Sequence, residues 1–139
     1  MLNGKIAAVP NYARYLQCLS SLELETLVAK YLEEKGLFVP AYKGGFLKNY
    51  DLFCRNLGTS DIVLGETVVR PNESLSVQVK LNLTDDHKKD LERVDLFFCI
   101  SSTIENRKIY DWRYLEKNIT GNTKKWLETV LDWVKINKN

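Results

Sequence analysis

The stretch SLSVQVKLNL, residues 74–83, alternates apolar and polar side chains along its whole length. Side chains of an extended strand point to opposite faces in turn, so Leu75, Val77, Val79 and Leu81 share one face and Ser76, Gln78, Lys80 and Asn82 share the other. A strand of this pattern is half-buried, with its apolar face on a core. The polar face needs only solvent to satisfy it, yet it sets a carbonyl oxygen, Gln78, two positions from an ammonium, Lys80.

The neighbouring segments supply the layers such a strand needs. SSLELETLVAKYLEEKG predicts a helix: Ser20 with Glu23 fits a capping box, Leu24, Leu27, Val28 and Tyr31 recur at helical spacing, and Gly36 supplies the stop. YARYLQCL predicts a shorter helix before it. LFVPAYK reads as a strand, followed by the polar, glycine-bearing GGFLKN, and then YDLFCRN, the turn-like LGTS, DIVLGETVV and the turn RPNE lead to the alternating strand. After it, TDDHKKDLERV predicts a short helix capped by Thr84, DLFFCIS a buried strand, and RKIYDW an edge strand. YDWRYLEK begins a surface helix that packs Trp112 inward. In TGNTKKWLETVLDWVK, Trp126, Val130, Trp133 and Val134 form an apolar stripe that predicts an amphipathic C-terminal helix, over about residues 122–137.

These elements predict one α/β domain over residues 1–139, with a core at about 20–101, a central mixed β-sheet and helices on its faces. No run of 18 or more apolar residues occurs, and the N-terminal segment lacks the apolar centre of a signal peptide, so no membrane partner is expected and a cytoplasmic location is. Cys18, Cys54 and Cys99 are widely spaced among apolar neighbours, as reduced core thiols are. His87 is the only histidine and lies in a polar run, which argues against a zinc cluster and against His-dependent nucleophilic catalysis. A net charge of +2 permits a nucleic-acid partner without requiring one, although Lys43, Lys48, Arg55, Arg70, Lys80, Lys88, Lys89 and Arg93 crowd the middle of the chain.

The order helix, strands, Gln-x-Lys strand, helix, apolar strand resembles the restriction-endonuclease-like superfamily, the PD-(D/E)XK nucleases. It is most similar to the variants in which glutamine replaces the motif acid and a strand ends VQVK, as in some homing, transposon-end and Mrr-like nucleases. The resemblance implies a restriction-endonuclease-like fold and a metal-dependent endonuclease that hydrolyses DNA phosphodiester bonds. It implies Mg²⁺ as cofactor, with Mn²⁺ as a substitute, held by the motif aspartate and by Gln78, with Lys80 orienting or deprotonating the attacking water. Such chemistry needs charge neutralised on the phosphoryl oxygens and a stabilised leaving oxygen, and Mg²⁺ takes oxygen ligands. A neutral amide contributes no charge, so a further carboxylate is wanted. Glu25 is the candidate: at about 100° per residue it borders the buried stripe beside Ala29 and Leu32, and ETLVAKYLEEKGLFV resembles the E-x-x-x-A…G…V run of Mrr-like nucleases.

The motif aspartate has two candidates. NYDLF resembles the YDL strand start of the homing-type relatives and favours Asp51, which stands 27 residues before Gln78. Asp61, in SDIVL, stands 17 before Gln78, and DIVLGETVV-RPNE-SLSVQVKL would fold back as a two-stranded ribbon with a bulge at Gly65. Both are carried. One small domain presents one active site, so cutting two strands predicts a homo-oligomer, a dimer in the simplest case. The rival from another class is a catalytically inactive nuclease-fold subunit that binds nucleic acid or serves as a scaffold, for which the uncharged Gln78 speaks.

Overall fold

The computed structural model describes residues 8–41 and 51–137. Two helices lead in, α1 (Ala8–Gln17) and α2 (Ser21–Glu34), followed by strands β1 (Phe38–Ala41) and β2 (Leu52–Arg55). A short ribbon comes next, β3 (Ile62–Leu64) and β4 (Thr67–Val69), then the long strand β5 (Ser74–Leu83). A 3-10 turn (Asp85–His87) runs into the single-turn helix α3 (Lys88–Leu91), and β6 (Leu96–Ser102), β7 (Ile109–Tyr110), α4 (Trp112–Asn118) and α5 (Gly121–Asn137) complete the fold. Lys43, Lys48 and the GGFLKN connection lie outside the described residues, as does the side chain of Val134.

The main sheet has the order β1-β2-β5-β6-β7. β1 and β2 are antiparallel, as are β2 and β5, whereas β5, β6 and β7 run parallel. This is the mixed sheet flanked by helices that the sequence predicts. β5 sits at its centre because both of its neighbours need it. Leu75, Val77 and Val79 turn to one side, where they join Phe98 and Ile100 of β6 and the buried stripe of α2, namely Leu24, Leu27, Val28, Tyr31 and Leu32. On the other side Leu91 and Val94 close over Phe97 and Cys99. β6 is therefore buried on both faces, which accounts for its continuous apolar run.

Local chemistry explains most of the boundaries. The Ser20–Glu23 capping box forms in both directions, at 3.1 Å and 2.8 Å, and starts α2. Gly36 ends it at a φ of 101°, a conformation that favours glycine. Glu34, in the last turn of α2, accepts from the backbone N–H groups of Asn122 and Thr123 at 3.0 and 3.1 Å and so caps α5 from outside that helix. Thr123 first, and then the Asn122 amide, hold the Glu34 carboxyl below its ordinary value. Asp111 caps α4 through the Arg113 N–H at 3.0 Å, and Trp112 packs inward against the core as predicted.

Three expectations are corrected. DIVLGETVV is not one strand paired with β5. It closes on itself around a two-residue loop, Gly65–Glu66, with Leu64 paired to Thr67 and Gly65 at a φ of 58°. Glycine at the first loop position with positive φ matches the twist of a two-residue hairpin, and that local gain wins over the longer fold-back. The RPNE turn does form, with the Glu73 N–H on the Arg70 carbonyl at 3.0 Å, but it leads from the ribbon into β5. On α5 the buried positions are Thr123 and Leu127, at 2% and 3% exposure, while Trp126 and Val130 are only half-buried and Trp133 is 65% exposed. Trp126 and Val130 pack against the core as the stripe predicts, at its margin beside the more deeply buried Thr123 and Leu127, with the α2 Lys30 ammonium 5.6 Å from the Trp126 ring centre, whereas Trp133 departs from the stripe. Cys18 is exposed at the end of α1, whereas Cys54 and Cys99 are the buried thiols expected.

Candidate functional site

The polar face of β5 meets β2 at one point. From Leu52 to Arg55 the two strands pair in regular antiparallel register, Leu52 opposite Val77. At Asp51 the ladder changes. The Asp51 N–H still donates to the Val77 carbonyl at 2.9 Å, but the Val79 N–H donates to the Asp51 carboxylate, Oδ2, at 2.8 Å. A side-chain oxygen thus stands where a backbone carbonyl of β2 would continue the sheet, the kind of local substitution that aspartate makes readily. The two bonds bracket Gln78, one on either side of it in sequence. They fix the Asp51 carboxylate against the middle of β5, with Oδ1 left outside this bond.

Gln78 and Lys80 share the face opposite the α2 layer, since Val77 and Val79 point into that layer. In the parallel register they lie beside Phe97 and Cys99 of β6. Gln78 is half-buried, and its Oε1 is fully buried with no hydrogen-bond partner among the described residues. A buried acceptor left unpaired costs about 1–3 kcal/mol, so this oxygen marks a position where the fold forgoes stability. Lys80 is half-buried two residues on and makes no ion pair among the described residues.

The structure therefore brings Asp51, Gln78 and Lys80 together and separates Asp61 from them. β2 runs away from Gln78, so that Arg55 is opposite Ser74 at the start of β5. Asp61 lies beyond that end, exposed, just ahead of the β3–β4 ribbon. Between them Asn56 is completely buried and ties the connection down, with its side-chain amide on the Ser60 and Val69 carbonyls at 2.9 Å each. Glu25 is half-buried on α2, the helix that covers the Val77–Val79 face, and so belongs to the layer on the other side of β5. His87 is occupied in the turn after β5, where its Nδ1 accepts the Thr84 N–H at 3.0 Å.

A metal at this site would meet one carboxylate oxygen and one amide oxygen. That set suits Mg²⁺, which binds through one or two protein oxygens and keeps several waters for the rest of its octahedron. The unpaired Gln78 Oε1 is the feature that fits, because a cation would satisfy it. No group of three or more His, Cys, Asp or Glu residues placed to hold a metal occurs among the described residues. The signal that sequence spacing missed is the Val79 N–H bond, which depends on the pairing of β2 with β5 and has no local signature.

No helix among the described residues is long and apolar enough to cross a membrane. Comparison with family models, with characterised proteins and with solved structures yields no match to this chain, so its function rests on the site itself.

Proposed function

We propose that the protein is a Mg²⁺-dependent DNA endonuclease of restriction-endonuclease-like fold, with its active centre at Asp51, Gln78 and Lys80. The observation that carries this reading is the bracketing of Gln78 by Asp51, with Gln78 Oε1 buried and without a hydrogen-bond partner among the described residues and Lys80 two residues on along the same face. Asp51 and Gln78 would hold the metal through their side-chain oxygens, and Glu25, across the sheet on the α2 side, is not part of the set. A bound Mg²⁺ supplies Lewis-acid polarisation of the phosphate and a more acidic water. Lys80 orients that water and moderates charge on the phosphoryl oxygens. The Val79 N–H holds the Asp51 carboxylate in one orientation, so the metal oxygen is preset before substrate arrives. Two-strand cleavage then calls for a dimer or for successive nicking.

Supercoiled plasmid incubated with Mg²⁺ or Mn²⁺ tests this. Wild type nicks it, Lys80→Ala and Asp51→Asn lose about 100-fold or more, in the range of removing one catalytic group, and Asp61→Asn retains activity. Equal nicking by wild type and Lys80→Ala overturns the assignment. The absence of a three-acid group among the described residues favours a second reading, a nuclease-fold subunit that binds nucleic acid or acts as a scaffold without cutting. Calorimetric titration with Mn²⁺ separates the two: the inactive subunit shows no saturable binding that Asp51→Asn alters.

A further inference from the structure

The 3-10 turn after β5 is closed by a reciprocal pair of bonds. The His87 N–H donates to the Thr84 carbonyl at 2.9 Å, and the Thr84 N–H donates back to His87 Nδ1 at 3.0 Å. In the usual capping box the returning acceptor is a glutamate or glutamine oxygen. Here it is an imidazole nitrogen, and that changes the physics. A glutamine oxygen accepts at any pH, whereas a ring nitrogen accepts only while it carries no proton. Protonation turns Nδ1 into a donor facing another donor, and the Thr84 N–H loses its partner. The Thr84 hydroxyl, 3.4 Å from Nδ1, offers the protonated ring only a longer contact. Histidine is the side chain that makes this change between about pH 5 and 8.

The turn sits where its release is felt. The His87 ring stands edge-on to Phe97, 6.4 Å between ring centres at 65°. Phe97 is fully buried and lies in register with Gln78. The turn continues directly into α3, whose Leu91 covers Phe97 and Cys99. The charged and titratable groups on its own run include Asp85, Asp86, Lys88 and Asp90, and those on the elements beside Phe97 include Lys80 of β5, Cys99 of β6 and Lys108 ahead of β7. The Lys108 ammonium is held by the Leu91 and Val94 carbonyls at 2.7 and 3.2 Å. The Thr84 bond itself is available only to the neutral ring.

We propose that His87 is a pH-sensitive latch: as a neutral ring it closes residues 84–91 over Phe97, and on protonation it releases them, loosening the wall beside the face that bears Gln78 and Lys80. The latch is a property of the free protein and stands whether or not that face hydrolyses DNA.

Nitrogen-15 NMR of the wild-type protein between pH 8 and pH 5 tests it. The neutral ring shows Nε2–H with unprotonated Nδ1, the Thr84 amide resonance follows the imidazole midpoint, and its exchange protection, corrected for intrinsic pH dependence, falls about fivefold on protonation, the ratio equivalent to about 1 kcal/mol of capping. His87→Gln keeps the protection and removes its pH dependence. A Thr84 amide indifferent to the imidazole titration, a neutral ring protonated at Nδ1, or a His87→Gln protein with the wild-type pH dependence overturns the latch. Should His87→Gln fail to fold, the wild-type titration alone decides.

Discussion

The two faces of the central sheet are built from one strand and behave differently. On the α2 side, Leu75, Val77 and Val79 of β5 continue into Phe98 and Ile100 of β6, and the layer is closed by α2 and by aromatic rings from β7 and α4. Phe98 is its hub, with ring centres of Tyr110, Tyr31 and Tyr114 at 5.4, 6.2 and 6.3 Å. Tyr31 and Tyr114 are hydrogen-bonded to each other, and the Tyr110 hydroxyl donates to the Leu64 carbonyl at 2.8 Å, tying the β3–β4 ribbon to the same layer. On the opposite face apolar packing gathers around β6 and the end of β5, where Leu83 joins Phe97 and Cys99, and the earlier part of the β2–β5 pair presents Asp51, Gln78 and Lys80. The odd positions from Leu75 to Leu81 pack on the α2-side core, and the even positions carry Gln78 and Lys80 of the candidate site.

The comparison breaks most sharply at Phe98. Phe98→Ala removes the ring that three tyrosines pack against, and is expected to cost about 3–5 kcal/mol of stability, measured by urea unfolding. A loss below about 1 kcal/mol would mean that the α2-side layer is not what holds the sheet.

On the polar face the expected sign reverses. Gln78→Met replaces a buried, unpaired carbonyl by an apolar group of similar length, so it is expected to raise stability by about 1 kcal/mol while removing metal-dependent nicking. A destabilised Gln78→Met protein would show that Oε1 has a partner in solution, and would withdraw the strongest reason for placing a cation there. Gain of stability with loss of function is the pattern of a residue kept for its chemistry.

Local patterns announced the elements and said little of their pairing. The alternation of residues 74–83 and the Ser20–Glu23 box are short-range features, and both appear in the structure as read. Which aspartate faces Gln78 is a long-range matter. Spacing alone favours Asp61, because a 17-residue interval resembles a simple fold-back, but Gly65 diverts that segment into its own ribbon and leaves β2 to pair with β5. Asp51 then arrives through a connection that no periodicity foretells. The α5 stripe holds in part for a related reason: Trp126 and Val130 pack at the core margin as their bulk and spacing suggest, whereas tertiary packing gives the deepest positions to Thr123 and Leu127 and leaves Trp133 exposed.

The two buried cysteines give the finest test of where the faces differ. Cys54 lies on β2 on the α2 side, and Cys99 lies on β6 on the side that bears Gln78 and Lys80. Burial pushes both thiols up to about 12, and only the thiolate reacts. If α3 covers β6 as fully as α2 covers β2, a water-soluble thiol reagent at pH 8 labels Cys18 alone in the native protein and all three cysteines in urea. A second native label at Cys99, increasing below neutral pH after allowance for the smaller thiolate fraction, would mean that the α3 wall opens on protonation of the turn beside it. A second label at Cys54 would mean instead that β2 leaves the sheet, and the bond from Val79 to Asp51 with it.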